Sequence, residues 1–247
     1  MQKKEFNYLP YHPVVWLVGT SNEVFREIAK QFAFIGCKVA ISACSKKQLA
    51  SIVREIDSFG WKAYAFRCDI SEEENIQKTY NAIFRKLGKI DVLVYNAGVK
   101  SSNTFLKTTM EKLDDVIDAH LEGPITCIKA VLPSMVKRKC GWIINILSNS
   151  AIKTFPNSSV CSITGAGMLA MAKVLREEVN RYNVKVVNIL IGQVDNEIQP
   201  KEKRKKHLSK IVEARSIAEA VLAIFQMPKD VVVDEVILNP MIGKKKK

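Results

Sequence analysis

The feature that most limits the fold is an alternation that runs through the whole chain. Short apolar runs rich in β-branched residues recur, and the stretches between them carry apolar residues at helical spacing. Val14-Val15-Trp16-Leu17-Val18 opens the series and ends in Gly19. Lys38-Val39-Ala40-Ile41-Ser42, Ala63-Tyr64-Ala65-Phe66, Ile90-Asp91-Val92-Leu93-Val94, Trp142 to Leu147, Val184 to Leu190 and Val231 to Leu238 continue it. After the first run, Val24, Ile28, Ala29 and Phe32 fall on one helical face, and after the second so do Leu49, Ile52, Val53 and Ile56. Strands that alternate with helices need crossover connections. The expected product is a single doubly wound α/β domain of Rossmann type, with about seven parallel strands and helices on both faces. It should span residues 14–240, after an N-terminal extension at 1–13 and before a basic tail at 241–247.

Composition narrows the classes. With 247 residues, 47% hydrophobic and 26% charged, one sizeable core is expected and nothing divides the chain. No stretch reaches the roughly eighteen apolar residues of a membrane span, and Met1 to Phe6 lacks the apolar run of a signal peptide. A soluble cytoplasmic protein without membrane association is the expectation. The six cysteines are irregularly spaced, so no metal site or disulfide framework is indicated and reduced thiols are expected. The net charge of +13 calls for a polyanionic partner or a lysine-rich surface. Lys201 to Lys206 and Lys244 to Lys247 supply nine of the cations. Nucleic-acid binding through phosphate neutralisation is one reading, but no aromatic platform accompanies these runs, and solvated surface is the plainer one. The final four lysines look like a retrieval tail of membrane proteins, which means little without a span.

Several motifs carry chemistry. Val18-Gly19-Thr20-Ser21-Asn22-Glu23 joins the first strand to a helix through a glycine turn, the opening of a dinucleotide-binding unit. Cys68-Asp69-Ile70-Ser71 follows the third strand, and Tyr95-Asn96-Ala97-Gly98 ends the fourth. Asp118-Ala119-His120-Leu121-Glu122-Gly123 lies within a helix expected from Met110 to about Arg138, with a break at Gly123-Pro124. Ser148 ends the fifth strand, Cys161 stands thirteen residues later and Gly165 four beyond that, while Gly192 follows the sixth strand. In outline these segments resemble the short-chain dehydrogenase/reductase family over about residues 14 to 240. The resemblance implies an NAD(P)-dependent oxidoreductase scaffold, with Gly19, Ser21, Asn22, Lys46, Asp69, Asn96, Gly98 and Gly192 at the cofactor positions. It places Ser148, Cys161 and His120 at the catalytic positions and a substrate lid over the basic residues 193–214.

The departures from the family pattern are concentrated at the chemistry. The family writes its turn TGxxxGxG, whereas here the second glycine is Glu23 and the third is Phe25. A carboxylate at 23 adds repulsion where a pyrophosphate would sit, although it also suits the first turn of a helix. Phe25 must either displace the helix or fill the adenosine side of the groove. The family's catalytic tyrosine is Cys161 and its lysine is Gly165. The asparagine of its tetrad is His120, and its PGxxxT keeps only Gly192. At the end of the second strand stand Ser45, Lys46 and Lys47 with no acid, so NADP is favoured over NAD if a nucleotide binds at all, and a chain without cofactor is the other expectation. Asp69 would contact adenine, or else Asp69 or Ser71 caps the helix starting near Glu72.

Three functions are in play. The first is a non-catalytic family member acting as an interaction or regulatory subunit. It would be a dimer or tetramer, or a partner of an active relative, through the helices at 110–138 and 158–182 and the last strand. The second is an NADP-dependent carbonyl or alcohol oxidoreductase with an unusual acid. The third is a basic nucleic-acid-binding protein. Apart from these, Cys161 beside His120 and Ser148 could be a nucleophilic thiol.

Overall fold

The computed structural model describes residues 12–98, 103–192 and 211–241. The basic segment 201–206, most of the expected lid and the lysine tail lie outside the described residues. Seven parallel strands form one sheet in the order β3-β2-β1-β4-β5-β6-β7. They are β1 (Val14–Gly19), β2 (Lys38–Ala43), β3 (Ala63–Arg67), β4 (Val92–Asn96), β5 (Gly141–Ser148), β6 (Val184–Ile191) and β7 (Glu235–Leu238). The doubly wound expectation is met. One face is covered by α1 (Glu23–Phe34), α2 (Lys46–Ser58) and α7 (Ala214–Phe225), which bury Phe25, Phe32, Ile52 and Phe225 against Leu17, Ile41 and Ile144. The other lies under α3 (Glu73–Leu87), α5 (Gly123–Arg138) and α6 (Ser159–Val179), which bury Ile83, Val131, Met168 and Leu175 against Trp16, Leu93 and Ile143.

Asp91 pins the amino ends of the central strands. It is 2% exposed, its Oδ2 accepts from the Val14 amide at 2.9 Å, and its Oδ1 accepts from Arg138 Nη1 at 2.5 Å. Arg138 also donates to the Ile90 carbonyl at 2.7 Å, tying the end of α5 to the sheet. A buried carboxylate is tolerated here because both oxygens are met, one by a guanidinium.

Four expectations need correction. The helix after Met110 does not break at Gly123-Pro124. α4 (Met110–Ile117) runs through a π-wound turn, Asp118–Glu122, straight into α5 with right-handed helical backbone at both junctions. The Gly123 amide bonds Asp118 five residues back, and the wider turn accommodates Pro124, which has no amide to donate. Gly123 serves a close approach instead, since a Cβ there would meet the Ile70 carbonyl oxygen at 2.2 Å. The last strand is only Glu235–Leu238, because the Val231 carbonyl is taken by Lys185 Nζ at 2.6 Å and the Val231 amide turns back to Pro228. The helix expected over 158–182 is α-helical only to Val179, and Asn180–Tyr182 tightens into a 3-10 turn. Neither Asp69 nor Ser71 caps α3, which starts at Glu73 behind Glu72 without a side-chain cap. Asp69 Oδ1 instead accepts from the Ser71 amide and hydroxyl, holding its own turn.

Candidate active site and nucleotide crevice

Strand order reverses between β1 and β4, so the loops leaving their carboxyl ends diverge and leave a crevice between them, the usual ligand position in this architecture. Gly19 and Asn96 pair across that crevice. Gly19 has φ +124, and a Cβ there would lie 2.3 Å from the Asn96 carbonyl oxygen, so only glycine fits. The Thr20 amide donates to that same oxygen at 3.0 Å. Asn96 Nδ2 donates to the Thr20 carbonyl at 2.7 Å and to Asn22 Oδ1 at 3.0 Å. Gly98 lies against Thr20, whose side chain would overlap any Cβ at 98. The Gly19, Asn22, Asn96 and Gly98 positions are therefore one framework that fixes the turn.

That framework uses some of the turn's own polar groups. Asn22 caps α1, its Oδ1 accepting from the Phe25 amide at 3.0 Å. Glu23 stands on the first turn of α1 and pairs with Arg26 at 3.4 Å. Arg26 in turn bridges Glu55 at 2.5 Å, joining α1 to α2. Ser21 Oγ donates to Gln48 Oε1 at 2.6 Å and links the β1 turn to the start of α2. Phe25 does not fill the groove. It is fully buried in the core beside Ile28 and Leu17, where α1 meets the sheet. At the far side of the crevice Lys46 is exposed behind the Ser45 cap of α2. The Asp69 carboxyl is held below its usual range chiefly by its bonds to Ser71.

The residues expected at the catalytic positions lie on β5, the π-wound turn and α6. Ser148 ends β5 exposed, and its Oγ accepts from the Ser150 amide at 3.2 Å and hydroxyl at 2.9 Å. Cys161 lies in the first turn of α6 and is half-buried. Gly165 follows one turn on, packed against the Asn149–Ala151 turn: a Cβ at 165 would come within 2.8 Å of Ala151 Cβ and 3.2 Å of Ala151 Cα. His120 sits on the π-wound turn, and its Nδ1 is hydrogen-bonded to Tyr95 Oη at 2.8 Å. Burial pushes the imidazole pKa down to about 4, with Lys112 adding to the effect, and drives the fully buried Tyr95 phenol up. His120 is thus a neutral acceptor or donor for Tyr95. The hydrogen-bond partner of its Nδ1 is the Tyr95 phenol. Gly192 donates its amide to the Leu238 carbonyl at 2.8 Å at the β6–β7 edge.

Sequence reasoning missed Tyr95 as the partner of His120 and Ala151 as the neighbour of Gly165. It also missed an open groove of about 400 Å³ beside the start of α6, between Phe105 and the loop Thr154–Ser159. Pro156 in that loop was the one available signal.

An open parallel sheet with a glycine turn at its switch point defines a doubly wound α/β protein of Rossmann type. The sequence profile of the short chain dehydrogenase family matches residues 13–207, and the chain belongs to that family. It is similar to an uncharacterized oxidoreductase of Staphylococcus epidermidis, 28% identical over 231 residues, covering 92% of this chain and 97% of that one. A 3-oxoacyl-[acyl-carrier-protein] reductase of the same organism is 29% identical over 177 residues, 71% of this chain and 72% of the relative. Among solved structures, an alcohol dehydrogenase of the archaeon Thermococcus sibiricus in complex with 5-hydroxy-NADP matches with a TM-score of 0.84 at 24% identity. That match covers 96% of this chain and all of the other. An actinorhodin polyketide ketoreductase with NADPH matches with a TM-score of 0.85 at 22% identity over 94% and 97%. Among the described residues no helix is long and apolar enough to cross a membrane.

Proposed function

We propose that this chain is a non-catalytic short-chain dehydrogenase/reductase that acts as an interaction or regulatory subunit. The observation that carries the reading is the closed position at Gly165. A lysine that would tune a general acid is absent, and a Cβ at that position would lie 2.8 Å from the Ala151 Cβ of the Asn149–Ala151 turn, so the neighbouring side chain would have to shift. Cys161 has neither the reach of a phenol nor that cation beside it. The Nδ1 of His120 is engaged by the Tyr95 phenol.

The cofactor, where one is held, is NADP. Support comes from Lys46 at the position that meets a 2′-phosphate, from the lack of an acid there, and from the NADP complexes among the similar solved structures. The fit fails on the pyrophosphate side, where Asn22 takes the Phe25 amide and Glu23 brings a like charge to the helix terminus. Self-association or pairing with an active relative is the interaction we assign. Its support is the exposed apolar side chains Val174 on α6 and Ile237 on β7, which have no partner face in the described chain.

Calorimetric titration with NADPH and NADH tests the cofactor half of this reading. Weak NADPH binding, weaker or absent NADH binding and a gain in NADPH affinity in Glu23→Gln are expected. Removing a half-exposed carboxylate that Arg26 already pairs is worth about two- to fivefold. Tight NADPH binding by the natural chain, unchanged in Glu23→Gln, would contradict it.

A further inference from the structure

Three of the six cysteines form a row descending from the surface at the carboxyl ends of β2 and β3. Cys44 is exposed, Cys68 is buried and Cys127, on α5, is completely enclosed. Burial raises the Cys68 and Cys127 thiols first. Cys44 adds to the rise at Cys68, and Cys68 to the rise at Cys127, so each sulfur lies within electrostatic reach of the next.

Strand register sets the geometry of the outer pair. Ala43 stands opposite Arg67 in the parallel β2–β3 ladder, so Cys44 and Cys68 stand opposite each other one step beyond. The ladder continues to that step, since the Cys68 amide donates to the Ala43 carbonyl at 3.2 Å. Cys44 Sγ reaches the Cys68 carbonyl oxygen at 3.6 Å, which keeps its sulfur turned toward β3. Both residues also fall on one face of the sheet. Alternation along β2 puts Cys44 with Ala40 and Ser42, and along β3 puts Cys68 with Tyr64 and Phe66, all on the Trp16 side. Neighbouring strands are about 4.8 Å apart, inside the Cα separation of about 4.4–6.8 Å that a disulfide accepts.

We propose that Cys44 and Cys68 form a reversible disulfide by exchange with a small-molecule disulfide. Cys44 reacts first because it alone of the pair is exposed. Its thiolate attacks one sulfur of the small disulfide, forming a mixed disulfide on Cys44 and releasing one small thiol. Cys68 Sγ then attacks the Cys44 sulfur, the protein S–S bond forms and the second small thiol leaves. The pair loses two electrons to the small disulfide, and the two protein thiol protons end on the two released thiols. Burial first, then Asp69 and Glu72, hold the Cys44 thiol above its ordinary pKa against an opposing Arg67, so the exchange quickens as pH rises. The bridge would tie the turn carrying Lys46 to the turn carrying Asp69 and fix the width between them. The inference stands on strand register and does not depend on the chain being non-catalytic.

The test incubates the full-length protein with oxidised glutathione at pH 8.5, blocks remaining thiols with N-ethylmaleimide and maps tryptic peptides by mass spectrometry. The expected product is a bridge between peptides 39–46 and 68–78, two hydrogens lighter than the separate peptides and abolished by dithiothreitol. Cys68→Ser should halt the reaction at a stable glutathione adduct on Cys44, and Cys44→Ser should give no bridge at Cys68. A glutathione adduct persisting on Cys44 in the natural protein would overturn the proposal. So would a Cys44 still blocked by maleimide after full exposure, or a bridge from Cys68 to Cys127 that forms equally in Cys44→Ser.

Discussion

Gly165 and His120 decide the site at the scale of single residues. In a helix interior, Gly→Ala ordinarily gains about 1 kcal/mol from backbone entropy. At Gly165 the sign should reverse, because the new Cβ would sit 2.8 Å from Ala151 Cβ and the turn behind it must give way. Urea unfolding of Gly165→Ala should show a loss of about 1–3 kcal/mol. Adding Ala151→Gly should recover part of it, a coupling of about 0.5–3 kcal/mol in a double-mutant cycle. His120 predicts a pH dependence. Its pKa is near 6.5 unfolded and about 4 folded, so between those values the unfolded chain binds more protons and stability rises with pH. That contribution is complete above pH 6.5 and is lost progressively as pH falls toward 4. His120→Gln should flatten this part of the stability profile, and an unchanged profile would refute the buried neutral imidazole.

The candidate site was only half legible in the sequence, for a physical reason. Glu23, Cys161 and Gly165 depart from the residues the resemblance expects, and their type alone shows it. Their surroundings come from other parts of the chain: Ala151 closes on Gly165 from the preceding turn, and Tyr95 reaches His120 from β4. Nothing in the local spacing of residues encodes such meetings. Phe25 makes the same point in the other direction, since its type allowed a groove position and its packing on α1 put it in the core.

At the scale of elements, periodicity was a good guide wherever an element is buried. β1, β4, β5 and β6 are apolar nearly throughout, and α1 and α2 bury the faces their spacing marks. It misled at Gly123-Pro124, where two helix-breaking residues sit in a continuous helical rod because a π-wound turn absorbs the proline and a close approach to Ile70 requires the glycine. It also overran at β7, where three valines promise a strand but Lys185 captures the Val231 carbonyl. Asp91 is the element-scale feature with the largest expected energetic weight, as it joins β1, β4 and α5 in one contact set. Asp91→Ala should leave Arg138 without its carboxylate and the Val14 amide unmet, costing about 3–5 kcal/mol in chemical denaturation. A loss below about 1 kcal/mol would mean the pair behaves as a surface contact.

For the whole molecule, the function we propose is one in which fold and chemistry have separated. The sheet and its switch point are those of the short-chain dehydrogenase family, while Cys161 and Gly165 stand where the resemblance expects a tyrosine and a lysine. Standard hydride-transfer catalysis needs a positioned acid whose pKa is tuned by a neighbour, and removal of such a group costs about 10²–10⁴-fold in rate. The most direct measurement is NADPH oxidation followed at 340 nm, with the purified full-length protein at high concentration and a panel of ketones and aldehydes. The account predicts no consumption above the protein-free rate, in the natural chain and in Ser148→Ala alike. Substrate-dependent oxidation by the natural chain that disappears in Ser148→Ala or Cys161→Ala would contradict it, and would make this an active reductase with an unfamiliar acid.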